Sequence, residues 1–239
     1  MSAPAPARLG VLASGSGSNL QALLDACRSG ALAAEVAVVL CNVAGARGLE
    51  RARDAGVPAV LLPHRQFTSR EEYDAAAVAE LRARGVTVVC LAGFMRLVTP
   101  VLLRAFPDRV LNIHPALLPA FPGMHAARQA LEAGARVTGC TVHFVDEGTD
   151  TGPVILQAAV PVLDGDTEET LQARITAQEH RAYVRAVQLL ISHELALEPS
   201  GARRRVRWLG ALAATQSVHS VQETLWSPPE SAPAGAARW

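Results

Sequence analysis

The sequence predicts a doubly wound α/β domain, a mainly parallel sheet with helices on both faces. Three observations predict it. Short apolar runs alternate with helix-like stretches along most of the chain. The runs lack a clean apolar-polar alternation, as strands buried on both faces do. Glycines stop the helical stretches, as at Gly30 and Gly56.

Taken in order, "RLGVLAS" reads as the first strand and "SNLQALLDACRSG" as a helix that begins at Ser18 or Asn19 and stops at Gly30. "EVAVVLCN" is the second strand, and "ARGLERARDAG" a helix ending at Gly56. "PAVLLP" is the third strand; "SREEYDAAAVAELRARG" follows as a helix with Ser69 as its cap and Glu72 three residues on. "VTVVCLAG" and "VLNIHP" are the fourth and fifth strands. The rhythm then changes. "HAARQALEAGA" is a short helix, and "VTGCTVHFV" and "VILQAAVPV" are two strands joined by the polar loop "DEGTDTGP". A long helix is expected from Asp166 to about Ala196, with Asp166 and Glu169 as a capping box. Residues 1–7 are expected to be disordered, 8–196 to form the domain, and 197–239 to be a partly disordered C-terminal extension in which "VRWLGALAA" adds a strand or a helix.

Composition removes several function classes. The chain of 239 residues is half hydrophobic and carries 22 basic and 22 acidic side chains, so no general attraction draws it to nucleic acid or an anionic membrane. It contains no lysine, which excludes a Schiff-base lysine, hence PLP chemistry, and the P-loop lysine of NTPases. The four cysteines are far apart and read as apolar fillers of a reducing compartment rather than metal ligands or disulfides. The N-terminus lacks the basic flank and long apolar run of a signal peptide, and no stretch is long enough to span a bilayer, so a cytoplasmic protein is expected.

Several apparent motifs fail. Gly15-Ser16-Gly17 lacks the third glycine of a dinucleotide fingerprint, since Leu20 stands there, and the second strand ends in Cys41-Asn42 rather than an acidic residue. NAD is therefore not expected. What remains is flexible backbone at a helix N-terminus, a natural phosphate site. "SHELAL" lacks the second histidine of a zinc helix, "DGDTEE" is a helix start rather than a calcium loop, and Arg203–Arg207 reads as a solvated tail. His64, His125, His193 and His219 have no identifiable partner in the sequence.

The stretch "LNIHPALLP" is different. Side chains two apart on a strand share a face, so Asn112 and His114 point the same way where Pro115 closes the strand. An amide donor beside an imidazole suits proton transfer, although a pair of satisfied polar groups ending a strand would look alike. The loop with Asp146, Glu147 and Asp150 returns a carboxylate toward that strand end, either to orient His114 or merely as an exposed turn.

Together, "SGSGSNLQALLDAC", "GLERARDAG", "LAGFMRLVTP", "LNIHPALLPAFPGMHAARQALEAGARVTGCTVHFV", "DEGTDTGPVILQAAVPV" and "ITAQEH" closely resemble the phosphoribosylglycinamide formyltransferases, folate-dependent enzymes of purine synthesis. The resemblance runs from about Leu9 to Ile191. It implies formyl transfer from 10-formyltetrahydrofolate to the amine of glycinamide ribonucleotide, without metal. By that resemblance Asn112, His114 and Asp150 are catalytic. Gly17, Ser18, Asn19, Pro115 and Glu179 meet the ribotide. Arg70 meets the glutamate tail of the folate, and Met95, Arg96, Leu97, Val98, Asn112 and Asp146, Glu147, Gly148, Thr149 and Asp150 line the folate side. It leaves a homodimer open and assigns nothing to residues 203–239.

Three other readings are weighed. A formyltetrahydrofolate hydrolase would use the same Asn, His and Asp with water as acceptor, but such enzymes carry an additional N-terminal domain. An initiator-tRNA formyltransferase would need an RNA-binding domain and a basic surface. A folate- or nucleotide-binding module would need the pocket without all three catalytic side chains.

Overall fold

The computed structural model describes residues 6–209. Seven strands form one sheet: β1 (Ala7–Ala13), β2 (Ala34–Cys41), β3 (Ala59–Leu61), β4 (Val88–Leu91), β5 (Val110–His114), β6 (Val137–Phe144) and β7 (Val154–Pro161). Their order is β3-β2-β1-β4-β5-β6-β7. The first five strands pair in parallel, whereas β5–β6 and β6–β7 are antiparallel. This is the doubly wound, mainly parallel sheet expected. The chain builds outward from β1 through β2 to β3, then returns to the other side of β1 with β4. That reversal leaves a crevice at the carboxyl ends of β1 and β4, the usual binding place in such sheets.

Two apolar layers hold the sheet. On one face, α1 (Ser18–Ser29), α5 (Ala126–Glu132) and α6 (Glu168–Ile191) bury Leu20, Leu23, Leu171, Ile175 and Tyr183 against Leu9, Val11, Leu111 and Val142. On the other, α3 (Arg70–Ala83) and α4 (Pro100–Ala105) bury Tyr73, Leu81 and Leu102 against Leu12, Val38, Leu40 and Val89. Full burial of each large apolar side chain contributes about 1.5–3 kcal/mol before conformational entropy is counted. The small helix α2 (Arg47–Asp54) completes the set.

Local differences from the sequence reading have local causes. The long helix runs Glu168–Ile191, and its capping box is Thr167 with Thr170 rather than Asp166 with Glu169. Asp166 instead accepts two hydrogen bonds from Arg174, at 2.7 and 2.8 Å, and one from the Leu163 N–H. Ser69 does cap α3 by accepting from the Glu72 N–H, but the Glu72 carboxylate turns to Thr68. The proline-started helix α4 and a 3-10 turn at His64–Gln66 lie in stretches read as connections.

The domain limits move at both ends. Ala7, placed in the disordered N-terminus, opens β1. The boundary between 196 and 197 cuts through β8 (Leu195–Ser200), which pairs with β9 (Arg203–Trp208) as a hairpin. Leu195, Leu197, Val206 and Trp208 pack on the first apolar layer, and the Trp208 indole donates to the Ile155 carbonyl at 3.0 Å. Arg203–Arg207 is thus a strand rather than a tail, although its arginines are solvent-exposed as expected. Among the described residues no helix is long and apolar enough to cross a membrane, and no cluster of three metal-ligating side chains occurs. The four cysteines are free thiols; burial pushes Cys90 and Cys140 up to about 12.

Candidate active site

The loop between β1 and α1 is fastened from behind. The carbonyl of Gly15 accepts from the Gly48 N–H at 3.1 Å, that of Ser16 from Arg51 Nε at 2.9 Å, and that of Gly17 from the Gln21 N–H at 2.9 Å. Three successive carbonyls are therefore committed to α1 and α2. The N–H groups of Gly17, Ser18 and Asn19 have no acceptor among the described residues. A row of free N–H groups where a helix begins is an anion cradle. Gly17 is required twice over. Its φ of 69° suits glycine, and a Cβ there would stand 2.9 Å from the Gly48 Cα.

The Asn19 side chain turns away from the cradle. It is 7% exposed, and its Nδ2 donates to Glu179 Oε2 at 3.0 Å. Burial raises the Glu179 carboxyl above its ordinary range, while hydrogen bonds from Asn19 and Thr176 pull it back. Asn19 therefore leaves its backbone N–H open at the cradle and uses its amide to hold Glu179. A cavity of about 210 Å³ opens over the cradle, lined by Ser14 to Asn19 with Gly93 and Met95. Ser14 ties its two sides together: its N–H donates to the Gly93 carbonyl at 3.0 Å, and its hydroxyl accepts from the Met95 N–H at 2.8 Å.

At the carboxyl end of β5 the strand register assembles a side-chain cluster. His114 is 4% exposed and lies with Nδ1 3.3 Å from Asp150 Oδ2. Its Nε2 is 2.8 Å from the Phe121 carbonyl, which can only accept, so Nε2 carries a proton. Asp150 Oδ2 also accepts from the Gly123 N–H at 2.8 Å. Asp150 takes a left-handed φ of 54°, a strained position for a non-glycine residue of the kind found at functional sites. Pro115, half-buried, ends the strand next to His114.

One member of this cluster escapes the sequence reading. His143 pairs directly across from Asn112 in the β5–β6 ladder, with its Nε2 3.2 Å from Asn112 Nδ2 and 3.7 Å from Asp150 Oδ1. Its Nδ1 lies 2.8 Å from the Phe144 carbonyl and must donate to it. Burial lowers its pKa, so the ring is neutral and Nε2 is left as an acceptor. Asn112 therefore spends one N–H on His143 and keeps the other, with its direction fixed. The signal was present in "TVHFV", whose histidine faces Asn112 once β6 is known to run antiparallel.

The folate-side residues divide. Asp146 and Glu147 line a second cavity, of about 270 Å³, whose apolar walls are Leu103, Phe106, Val110 and Val145. Asp146 fastens its own loop by accepting from the Gly148 N–H and the Thr151 hydroxyl, leaving Gly148 and Thr149 exposed. Met95 and Leu97 are exposed large apolar side chains, at 65% and 53%. Val98 packs on the second apolar layer. Arg96 is drawn aside, its guanidinium 4.8 Å above the Tyr73 ring. Arg70 stands exposed at the start of α3 and lines neither cavity. Of the histidines without a partner in the sequence, His64 meets Asn42 and His125 meets Glu168, while His219 lies outside the described residues.

Comparison with known proteins places this arrangement. Residues 7–187 match the family model described as formyl transferase. The chain is 50% identical over 173 residues to the phosphoribosylglycinamide formyltransferase of Escherichia coli, covering 72% of this chain and 82% of the relative. A solved glycinamide ribonucleotide transformylase from Symbiobacterium toebii superposes with a TM-score of 0.84 at 56% identity, covering 87% of this chain and 96% of the other. The trifunctional purine biosynthetic protein of Drosophila pseudoobscura pseudoobscura is 53% identical over 201 residues, covering 83% of this chain, which spans only 14% of that longer protein. By sequence and fold, the chain belongs to the phosphoribosylglycinamide formyltransferase family of formyl transferases.

Proposed function

We propose that the chain transfers the formyl group of 10-formyltetrahydrofolate to the amine of glycinamide ribonucleotide, giving the formylated ribotide and tetrahydrofolate. The observation that carries this reading is the meeting of Asn112, His114, His143 and Asp150 at the end of β5, in the same sheet edge as the backbone anion cradle after β1. The cradle suits a phosphomonoester. Glu179, buried behind it, suits the polar groups of the ribotide. The cavity beside Val110 suits the pteridine ring. Val110 precedes Asn112 by two residues, about 7 Å of strand, which matches the short link from a pteridine to its formyl-bearing nitrogen.

The chemistry follows from the donors present. The ribotide amine attacks the formyl carbon, forming a C–N bond and leaving an oxyanion and an ammonium. The uncommitted N–H of Asn112 donates to that oxyanion, its direction set by His143. Nε2–H of His114 leaves the Phe121 carbonyl and donates to the same oxygen. Asp150, facing His114 Nδ1, relays the proton from the ammonium to the departing folate nitrogen, whereupon the old C–N bond breaks. A positioned oxyanion donor is worth about 10²–10³ in rate and a proton-transfer group about 10²–10⁴.

The test is deformylation of 10-formyltetrahydrofolate by the purified protein, with and without glycinamide ribonucleotide. Turnover that requires the ribotide is expected. Equal turnover without it would make water the acceptor and replace this reading with a hydrolase.

A further inference from the structure

The second cavity is not built only from the segment that carries the catalytic cluster. One of its walls is Arg204, on the C-terminal hairpin, far along the chain from the others. Arg204 grips Asp108 with both terminal nitrogens, at 3.0 and 2.8 Å, in a fork geometry. Asp108 sits at a left-handed turn just before β5, on the same cavity wall. The remaining three N–H groups of the guanidinium have no acceptor among the described residues. Arg204 also neutralises one of three carboxylates around the cavity, with Asp146 and Glu147 as the others. Its neighbours on β9 are spent elsewhere: Arg205 and Arg207 both pair with Glu198.

We propose that Arg204 is a specificity-determining residue for the folate co-substrate, and that the C-terminal hairpin is a working wall of the pteridine cavity. The free guanidinium N–H groups donate to the ring carbonyl of the pteridine, and the Asp108 fork holds the guanidinium plane in place for that contact. The claim rests on the reading of this cavity as the pteridine site.

Steady-state kinetics with each substrate varied separately would test it. Arg204→Ala should raise the KM for 10-formyltetrahydrofolate about tenfold, the scale of one charge-assisted contact, with the ribotide KM and kcat within about twofold. Arg205→Ala, on the same strand, should leave both constants unchanged. The double exchange Asp108→Arg with Arg204→Asp separates wall from anchor. It keeps the ion pair at the cost of an arginine in the left-handed turn at 108, so Tm should fall by no more than a few degrees, but the folate KM should stay raised. If the exchange restores that KM, or if Arg204→Ala moves both KM values together, the pair is only an anchor and the proposal fails. Absence of ribotide-dependent turnover in the unmodified protein would sink the formyltransferase reading itself. Normal turnover with an unchanged folate KM in Arg204→Ala would sink this inference alone.

Discussion

The two sides of the crevice are built from different materials. On the β1 side the open groups are backbone N–H groups, left without partners among the described residues while Gly48, Arg51 and Gln21 claim the carbonyls behind them. On the β5 side the working groups are side chains, placed by strand register and by the antiparallel partner β6. A backbone site tolerates change in side-chain identity but not in backbone path. A side-chain site behaves in the opposite way. The difference predicts which substitutions harm binding and which harm chemistry.

The largest effect belongs to the side-chain half. His114→Ala should lower kcat by about 10³ or more while both substrates still bind, as read by single-turnover rates and equilibrium binding. Retention of more than a tenth of the activity would break the contrast on its catalytic side. In the backbone half, Gly17→Ala should raise the ribotide KM by roughly tenfold or more and leave the folate KM alone. The added Cβ meets the Gly48 Cα and imposes a left-handed backbone on alanine, at a cost of about 1 kcal/mol or more. Arg51→Ala should raise the same KM less, by several-fold, since it frees the Ser16 carbonyl and the Gln21 side chain but leaves the Gly15 and Gly17 carbonyls engaged. A loss confined to kcat in either variant would contradict the division.

The smallest effects concern pH and have opposite signs on the two sides. Glu179 has its folded pKa raised by burial, so its share of stability is present at low pH and is lost as pH rises above about 4.3. Glu179→Gln should therefore raise Tm in ligand-free protein more at pH 8 than at pH 4.5. His143 has its folded pKa lowered by burial, so stability is lost as pH falls below about 6.5, where the unfolded chain takes up a proton that the folded ring refuses. His143→Gln should flatten the fall in Tm between pH 7 and pH 5. Parallel pH profiles for the two variants would mean that burial is not the governing cause at both sites.

What could be read from the sequence follows the same division. The cradle was legible because Gly15 and Gly17 stand in the first strand-to-helix turn, and the strand end was legible because Asn112 and His114 share a face. His143 was not, since its role depends on a pairing between strands some thirty residues apart, which periodicity within either strand cannot supply. The partners of Arg51 and Arg204 were hidden for the same reason: one donates to a carbonyl on another element, the other pairs with Asp108. The capping of α6 was misplaced because Asp166, the better capping residue by type, finds a stronger partner in Arg174. Local chemistry was readable, and long-range partners were not.

Tyr183 adds a consequence for how such a chain can change. Its hydroxyl, fully buried on α6, lies 3.0 Å from the Leu91 carbonyl and 3.1 Å from that of Leu111, on two neighbouring strands. Glu179 stands four residues earlier, one turn away on the same helical face. The helix is thereby keyed to the sheet in both height and rotation. Inserting a single residue between 179 and 183 would turn the carboxylate by about 100° and leave Tyr183 in its seat. Lengths along this helix are thus constrained in steps of whole turns.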